Sequence, residues 1–129
     1  RQYLLRYGDI VLLKAEALNE LGQTANAVAE VNKIRNRVSL PNLTQAQQSS
    51  QEILRNTILK ERRLELFLEG HRWDDLVRNN QLISTMSSLV EIDIRTGNAV
   101  NYPIIEAKKL LPIPQQELDR NPALVQNPL

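Results

Sequence analysis

The 129-residue sequence has no cysteine, a single histidine, one methionine, one tryptophan, four glycines and only five aromatic residues in all. Without cysteine there are no disulfides, no thiolate metal ligands and no thiol nucleophile. A lone His71 excludes a multi-histidine metal centre, and any Ser-His-Asp arrangement would have to use that one residue. Charge of one sign is also lacking: 16 Lys and Arg stand against 15 Asp and Glu, a net charge of +1. Such a chain has no overall field to draw in nucleic acid or an acidic bilayer. No window approaches the roughly 18 consecutive apolar residues of a membrane-spanning helix, and the first residues show neither a basic region followed by an apolar stretch nor an initiating Met. The start at Arg1 therefore reads as internal to a longer protein, with any membrane attachment supplied upstream.

What is present is ordinary globular material. Apolar residues make up 42% and charged residues 24% of the chain, well away from the composition of disorder. A domain of this size buries roughly two-thirds of the surface its unfolded chain exposes, so residues 1–129 are expected to form one domain.

Helical periodicity dominates the first two-thirds. Tyr7, Ile10, Val11, the Lys14 stem, Ala15, Leu18 and Leu21 recur at spacings of three and four, which predicts a helix with one buried stripe. Gly22 stops it, because glycine best tolerates the left-handed conformation past a helix end. Thr24 is placed to cap a second helix, about Ala25 to Val38, whose buried face is Ala27 or Val28, Val31, Ile34 and Val38. Lys33, Arg35 and Arg37 favour its C-terminal end, and Pro41 closes it. Asn42 to Ser50 is polar and Gln-rich, a loop or frayed helix start. A long helix is expected from about Gln51 to Glu69, carried by Ile53, Leu54, Ile58, Leu59, Leu64, Phe67 and Leu68. A short one follows from His71 to Asn79, and one or two further turns from Leu82 to Val90. Ile92, Ile94, Val100 and Tyr102 alternate with polar residues around Thr96-Gly97-Asn98, as in a small hairpin or an extended loop. Pro103, Pro112, Pro114 and Pro122 forbid a long helix in the tail, leaving Gln115 to Asp119 as one helical turn. The predicted fold class is all-α: a helical hairpin packed on further helices, with an irregular proline-rich C-terminal tail.

Two stretches are more specific than composition. Ala15-Glu16-Ala17-Leu18-Asn19-Glu20-Leu21-Gly22, followed by Ala27 and Ile34, resembles half to most of one tetratricopeptide-type helix pair, with Ala15 and Ala27 placed where the arms cross. One such pair cannot bury both faces, so a neighbour is implied. The second stretch is Glu61-Arg62-Arg63-Leu64-Glu65-Leu66-Phe67-Leu68-Glu69-Gly70-His71-Arg72-Trp73-Asp74-Asp75-Leu76-Val77-Arg78. It is joined to Leu111-Pro112-Ile113-Pro114 and to Asn121-Pro122-Ala123-Leu124-Val125-Gln126-Asn127-Pro128, with Arg6-Tyr7-Gly8-Asp9 at the start of the first helix.

In this order the strings resemble the C-terminal region of the SusD/RagB family, and the resemblance covers nearly the whole chain. Asp9, where the family often has another small or acidic residue, and the variable stretch at about 82–102 are departures. The resemblance implies a surface-exposed lipoprotein of the bacterial outer membrane. Such a protein caps a SusC-like TonB-dependent transporter and passes it oligosaccharides or other nutrients, and its lipid anchor and most ligand-contacting loops lie upstream. It implies no enzyme and no cofactor. A tetratricopeptide-like protein-protein interaction module, its groove filled by a peptide, is the alternative from another class.

The chemical candidates each have a plainer explanation. Glu61, Glu65 and Glu69 recur on one helix face and could act as acid and base. Arg62, Arg63 and Arg72 lie within a turn of them, so i,i+3 and i,i+4 ion pairs account for the same residues. His71 has no Gly-x-Ser-x-Gly nucleophile nearby and reads as a cap or packing residue. Trp73 would suit a sugar platform, but it shares a face with Leu76 and Val77 and is expected to plug a helix junction, where its loss would cost about 3 to 5 kcal/mol. Arg35, Arg37, Arg62, Arg63, Arg72 and Arg78 are interleaved with acids, which favours paired helix faces over a phosphate patch. The Glu61 to Arg78 unit is expected to fix the angle between two helices, and the tail to bury Leu110, Leu111 and Ile113 against them. Catalytic, cofactor and metal residues are thus expected to be none, and the ligand-binding residues stay unassigned.

Overall fold

A computed structural model describes residues 5–127. Arg1 to Leu4, the start of the sequence, and the closing Pro128 and Leu129 lie outside the described residues. The chain divides into two compact units, residues 1–72 and 73–129. It is all-α apart from one small hairpin, as the helical periodicity of its sequence predicts.

The first unit is a helical hairpin with a third helix laid against it. Helix α1 spans Tyr7–Glu20 and α2 spans Thr24–Arg37, and α3 spans Gln51–Glu65. Gly22 makes the first turn at φ +74°, with the Gln23 N–H returning to the Leu18 carbonyl at 2.9 Å. Thr24 is the first helical residue and not its cap; Gln23 holds the cap position without a side-chain bond. Residue Ser39, at φ +59°, ends α2 ahead of Pro41, and the Arg35 Nε donates to the Pro41 carbonyl at 2.7 Å. The polar stretch forms a single 3-10 turn, Gln45–Gln48, closed by a reciprocal capping box between Thr44 and Gln47. Ser50 then caps α3, accepting the Ile53 N–H at 3.2 Å, as a serine at this position favours.

The core of this unit is Val11, Leu12, Ala15, Ala27, Val31, Ile34, Leu43, Leu54 and Ile58. Ala15 and Ala27 are both fully buried, in keeping with a close approach of the two arms at small side chains. The buried stripe of α1, however, is rotated from the expected one. Gly8, Asp9, Val11, Leu12, Ala15 and Asn19 face inward, while Tyr7, Ile10 and Leu21 are exposed. Apolar residues surround much of α1, so periodicity alone leaves its inner face open, and the flanking α2 and α3 select it. Polar groups finish the packing: the Asn19 Nδ2 donates to the Gln51 carbonyl at 2.9 Å, and the Gln51 Nε2 returns a bond to the Asn19 carbonyl at 2.7 Å.

Helix α3 ends four residues earlier than expected. Leu66 caps it, Leu68 adopts φ +64° and Gly70 φ +87°. Leu64, Phe67 and Leu68, expected in its buried stripe, are exposed, and Ile53 is partly so; Leu54, Ile58, Leu59 and Leu66 are the buried members. The left-handed residue at 68 turns the chain out of the helix before the stripe can continue.

In the second unit α4 covers Arg72–Arg78, α5 Leu82–Ser87 and α6 Gln115–Arg120. Leu76 and Leu82 are buried. Strands β1, Val90–Ile92, and β2, Ala99–Asn101, pair antiparallel with Glu91 opposite Val100, so the expected hairpin around Thr96-Gly97-Asn98 is present. Asp93 shapes its turn, accepting the Arg95 N–H at 2.8 Å. A Tyr102 hydroxyl to Glu91 bond of 2.8 Å closes its open end.

The proline-rich tail has its own clasp. Pro112 and Pro114 lack an N–H, which isolates Ile113 as the one complete peptide donor between them. Gln126 answers with both ends of its amide: Oε1 accepts the Ile113 N–H at 2.8 Å and Nε2 donates to the Ile113 carbonyl at 3.0 Å. The Asn127 Nδ2 donates to the Leu111 carbonyl at 2.7 Å. Side-chain amides thus imitate a strand partner. The side chains of Leu110 and Leu111 are nevertheless exposed, and only Ile113 is half-buried, so the expected burial of Leu110 and Leu111 does not occur. Prolines on both sides of Ile113 hold this stretch extended. Gln126→Leu keeps the volume and removes both bonds; since each is worth about 1 kcal/mol, amide exchange at Ile113 is expected to quicken about tenfold or more, read by hydrogen exchange.

Candidate functional site

The strings Arg6-Tyr7-Gly8-Asp9 and Glu61 to Glu69, more than fifty residues apart in sequence, meet in the first unit. Asp9, in the first turn of α1, faces α3. There Arg62 Nη1 donates to its Oδ1 at 2.8 Å, with both side chains almost wholly buried at 6% and 3% exposure. Arg6, just ahead of α1, donates from Nε to Glu69 at 2.8 and 2.9 Å, and its other nitrogens reach the Glu65 carboxylate and carbonyl. From α2, Arg35 pairs with Glu61. Arg37 Nη2 donates to both Glu65 oxygens at 2.7 and 2.8 Å.

The acid ladder is therefore satisfied mainly across helices. Sequence suggests local i,i+3 pairing, Arg62 with Glu65 and Glu69 with Arg72; the partners seen on Glu65 and Glu69 come from the head of α1 and the end of α2. Nothing in the spacing on α3 could reveal this, although four arginines placed at 6, 35, 37 and 62 were visible. Gly8 has a definite reason to be glycine: a Cβ there would meet Arg6 Nη1 at 2.6 Å and Glu65 Oε1 at 2.7 Å, so the bare backbone lets that pair lie against α1.

A general acid or base needs a carboxyl that is free to reach a reactant. Arg35 holds Glu61, Arg6 and Arg37 hold Glu65, and the Arg6 hydrogen bond keeps Glu69 below the usual glutamate range. Other cross-helix carboxylates follow the same pattern. Glu30 is lowered by Lys14 first and Lys33 second, at 2.7 Å each, and Glu20 is lowered by its Arg55 hydrogen bond. A carboxylate depressed in the folded state contributes stability that is present above its ordinary value and lost as pH falls through the lowered one. The melting temperature is accordingly expected to hold from pH 7 to about 4.5 and then to drop steadily towards pH 3, as the ordinary glutamate value of about 4.3 is passed. Melts monitored by circular dichroism at stepped pH check this.

The remaining candidates do not assemble. His71 is half-buried in the turn before α4. Among the described residues no group of three or more His, Asp or Glu could hold a metal ion, and no helix is long and apolar enough to cross a membrane. Trp73 is 41% exposed, not the buried plug expected from its spacing. It lines an apolar groove of about 360 Å³ with Ile104, Ala107, Leu110, Leu111 and Pro112. Arg78 pairs with the buried Asp75 at 2.7 Å within α4. A second cavity, of about 300 Å³, opens beside the ion ladder between the start of α1 and the end of α2.

Comparison with known proteins gives one consistent match. The model of the SusD family fits residues 1–129. SusD-like protein P38 of Formosa agariphila is 45% identical over 92 residues, 67% of this chain and 18% of that protein. SusD-like protein P2 of the same organism is 33% identical over 138 residues, 95% of this chain and 24% of that one. The crystal structure of a SusD-like protein from Bacteroides fragilis superposes with a TM-score of 0.82 at 34% identity, over 98% of this chain and 25% of that one. The chain thus spans about a fifth to a quarter of the length of these relatives.

Proposed function

This chain belongs to the SusD family, and from that premise we propose that it is the C-terminal scaffold segment of a cell-surface, nutrient-binding lipoprotein. In that reading the parent protein binds oligosaccharide or a similar nutrient and works with a SusC-like TonB-dependent transporter in the outer membrane. A lipid anchor upstream supplies the attachment. Residues 1–129 act together as one segment, whose task is to hold shape and not to catalyse.

The observation that carries the reading is the engagement of the ladder. The acids and arginines most suggestive of chemistry, Asp9, Glu61, Glu65, Glu69, Arg6, Arg35 and Arg62, bind one another across α1, α2 and α3. Buried ion pairs fix register and orientation, and family members of this kind need a rigid frame on which ligand loops are mounted. The test is twofold. The gene upstream is expected to encode a lipoprotein signal with a lipidated cysteine and several hundred further residues. The full-length parent is expected to bind oligosaccharides on a glycan array. A short upstream region, or a parent that binds no glycan and instead captures a peptide, would replace the reading with the interaction-module alternative.

A further inference from the structure

The cavity beside the ladder has a makeup that the scaffold role does not require. Its wall combines the Tyr7 ring, 77% exposed, with Arg6, Gly8, Lys33, Arg37 and Glu65, and its volume of about 300 Å³ is at the lower bound of ligand pockets. The acceptor in this wall is already used. Glu65 takes Arg37 on both oxygens and Arg6 on Oε1. The donors are not exhausted: Arg37 commits Nη2 to Glu65, and Lys33 commits one N–H to Glu30 at 2.7 Å. A guanidinium carries five N–H donors and an ammonium three, and both side chains are more than half exposed, at 58% and 55%.

An open aromatic face beside spare cationic donors, in a wall whose carboxylate is occupied, matches a ring that brings its own acceptor oxygens. We propose that this cavity is a subsite for a sugar bearing a carboxylate, a uronic acid residue. The apolar face of its pyranose ring would stack on Tyr7, and its carboxylate would be received by Lys33 and Arg37 through charge-assisted hydrogen bonds. Arg6, clamped by Glu65 and Glu69, is a positioning residue that holds Glu65 in place. The inference rests on the glycan-uptake reading and goes beyond it, since it gives this segment a share of recognition.

Isothermal titration of the full chain with tetragalacturonate and with neutral maltotetraose tests it. Tetragalacturonate is expected to bind at least about tenfold more tightly than maltotetraose, and to weaken as sodium chloride is raised. Lys33→Gln is expected to weaken it about tenfold, and Lys33→Gln combined with Tyr7→Ala to abolish it. Lys14 still holds Glu30 in these variants, so circular dichroism spectra should match the parent chain, with melts lowered only by the loss of the second Glu30 partner. Equal affinity for the two sugars, binding of neither, or uronate binding untouched by the double variant would overturn the subsite. Neutral-glycan binding by the full-length parent would leave the uptake reading intact in that case. A parent that binds no glycan, beside a chain that binds tetragalacturonate through Tyr7, would remove the uptake reading and keep the site.

Discussion

Replacing Asp9 with alanine is expected to destabilise the chain by about 3–5 kcal/mol, one of the two largest effects foreseen for a single substitution. The reason lies in Arg62. Its guanidinium is 3% exposed, and Nη1 donates to Asp9 Oδ1 at 2.8 Å. Removing the carboxylate takes a charge-assisted hydrogen bond from a guanidinium held where water is excluded, and breaking one side of such a pair costs far more than the pair contributes as a unit. The variant Asp9→Asn therefore carries the sharper test. It removes the charge but keeps an acceptor oxygen for Arg62 Nη1 and the side-chain volume, so it is expected to be more stable than Asp9→Ala alone. Urea denaturation of the two variants gives the comparison. A loss below about 1 kcal/mol for Asp9→Ala would place the pair with ordinary surface ion pairs, against the burial described above.

Leu12→Ala is expected to cost about 2–5 kcal/mol, the sum of lost transfer energy and the cavity left behind. Leu12 is fully buried, among the largest side chains in the core of the first unit. Leu21→Ala, in the same helical run and of the same chemistry, is expected to change stability by no more than about 0.5 kcal/mol, since Leu21 is 73% exposed. The pair of variants reads the rotation of α1 directly. Similar losses at both positions would mean that the stripe through Leu21 is buried after all.

That rotation shows where periodicity stops being informative. In α2 the pattern Ala27, Val31, Ile34 selects one face, and those residues are buried, while Val38, expected on the same face, follows the last helical residue and is exposed. In α1 leucines, isoleucine, valine and tyrosine occupy several sides, so more than one stripe satisfies the three-and-four spacing. The hairpin around Gly97 and the helical turn after Pro114 were legible because their signals are local: a glycine suited to positive φ, and a proline that starts a helix but cannot continue one. The early end of α3 was not, since Leu68 at φ +64° is a leucine in a conformation its side chain disfavours, and no local rule places it there.

The candidate site divides the same way. That Glu61, Glu65 and Glu69 are engaged by arginines could be read from the density of basic residues around them. Which arginines engage them could not, because Arg6, Arg35 and Arg37 arrive from other helices. Trp73, the residue most suited by type to a sugar face, was misjudged in its exposure because Leu76 and Val77 share its helical side without covering it.

By itself, then, the amino-acid order determined the helical class, the turns at Gly22 and Gly97, the small-residue crossing at Ala15 and Ala27, and the family to which the motifs are similar. These depend on backbone conformations and contacts between near neighbours, whose energies are set within a few residues. Only the tertiary structure decided which side of α1 is inner, which arginine meets each acid, and that a cavity opens beside Tyr7, Lys33 and Arg37. Those outcomes depend on how three helices share one core, and burial and charge pairing are properties of that arrangement.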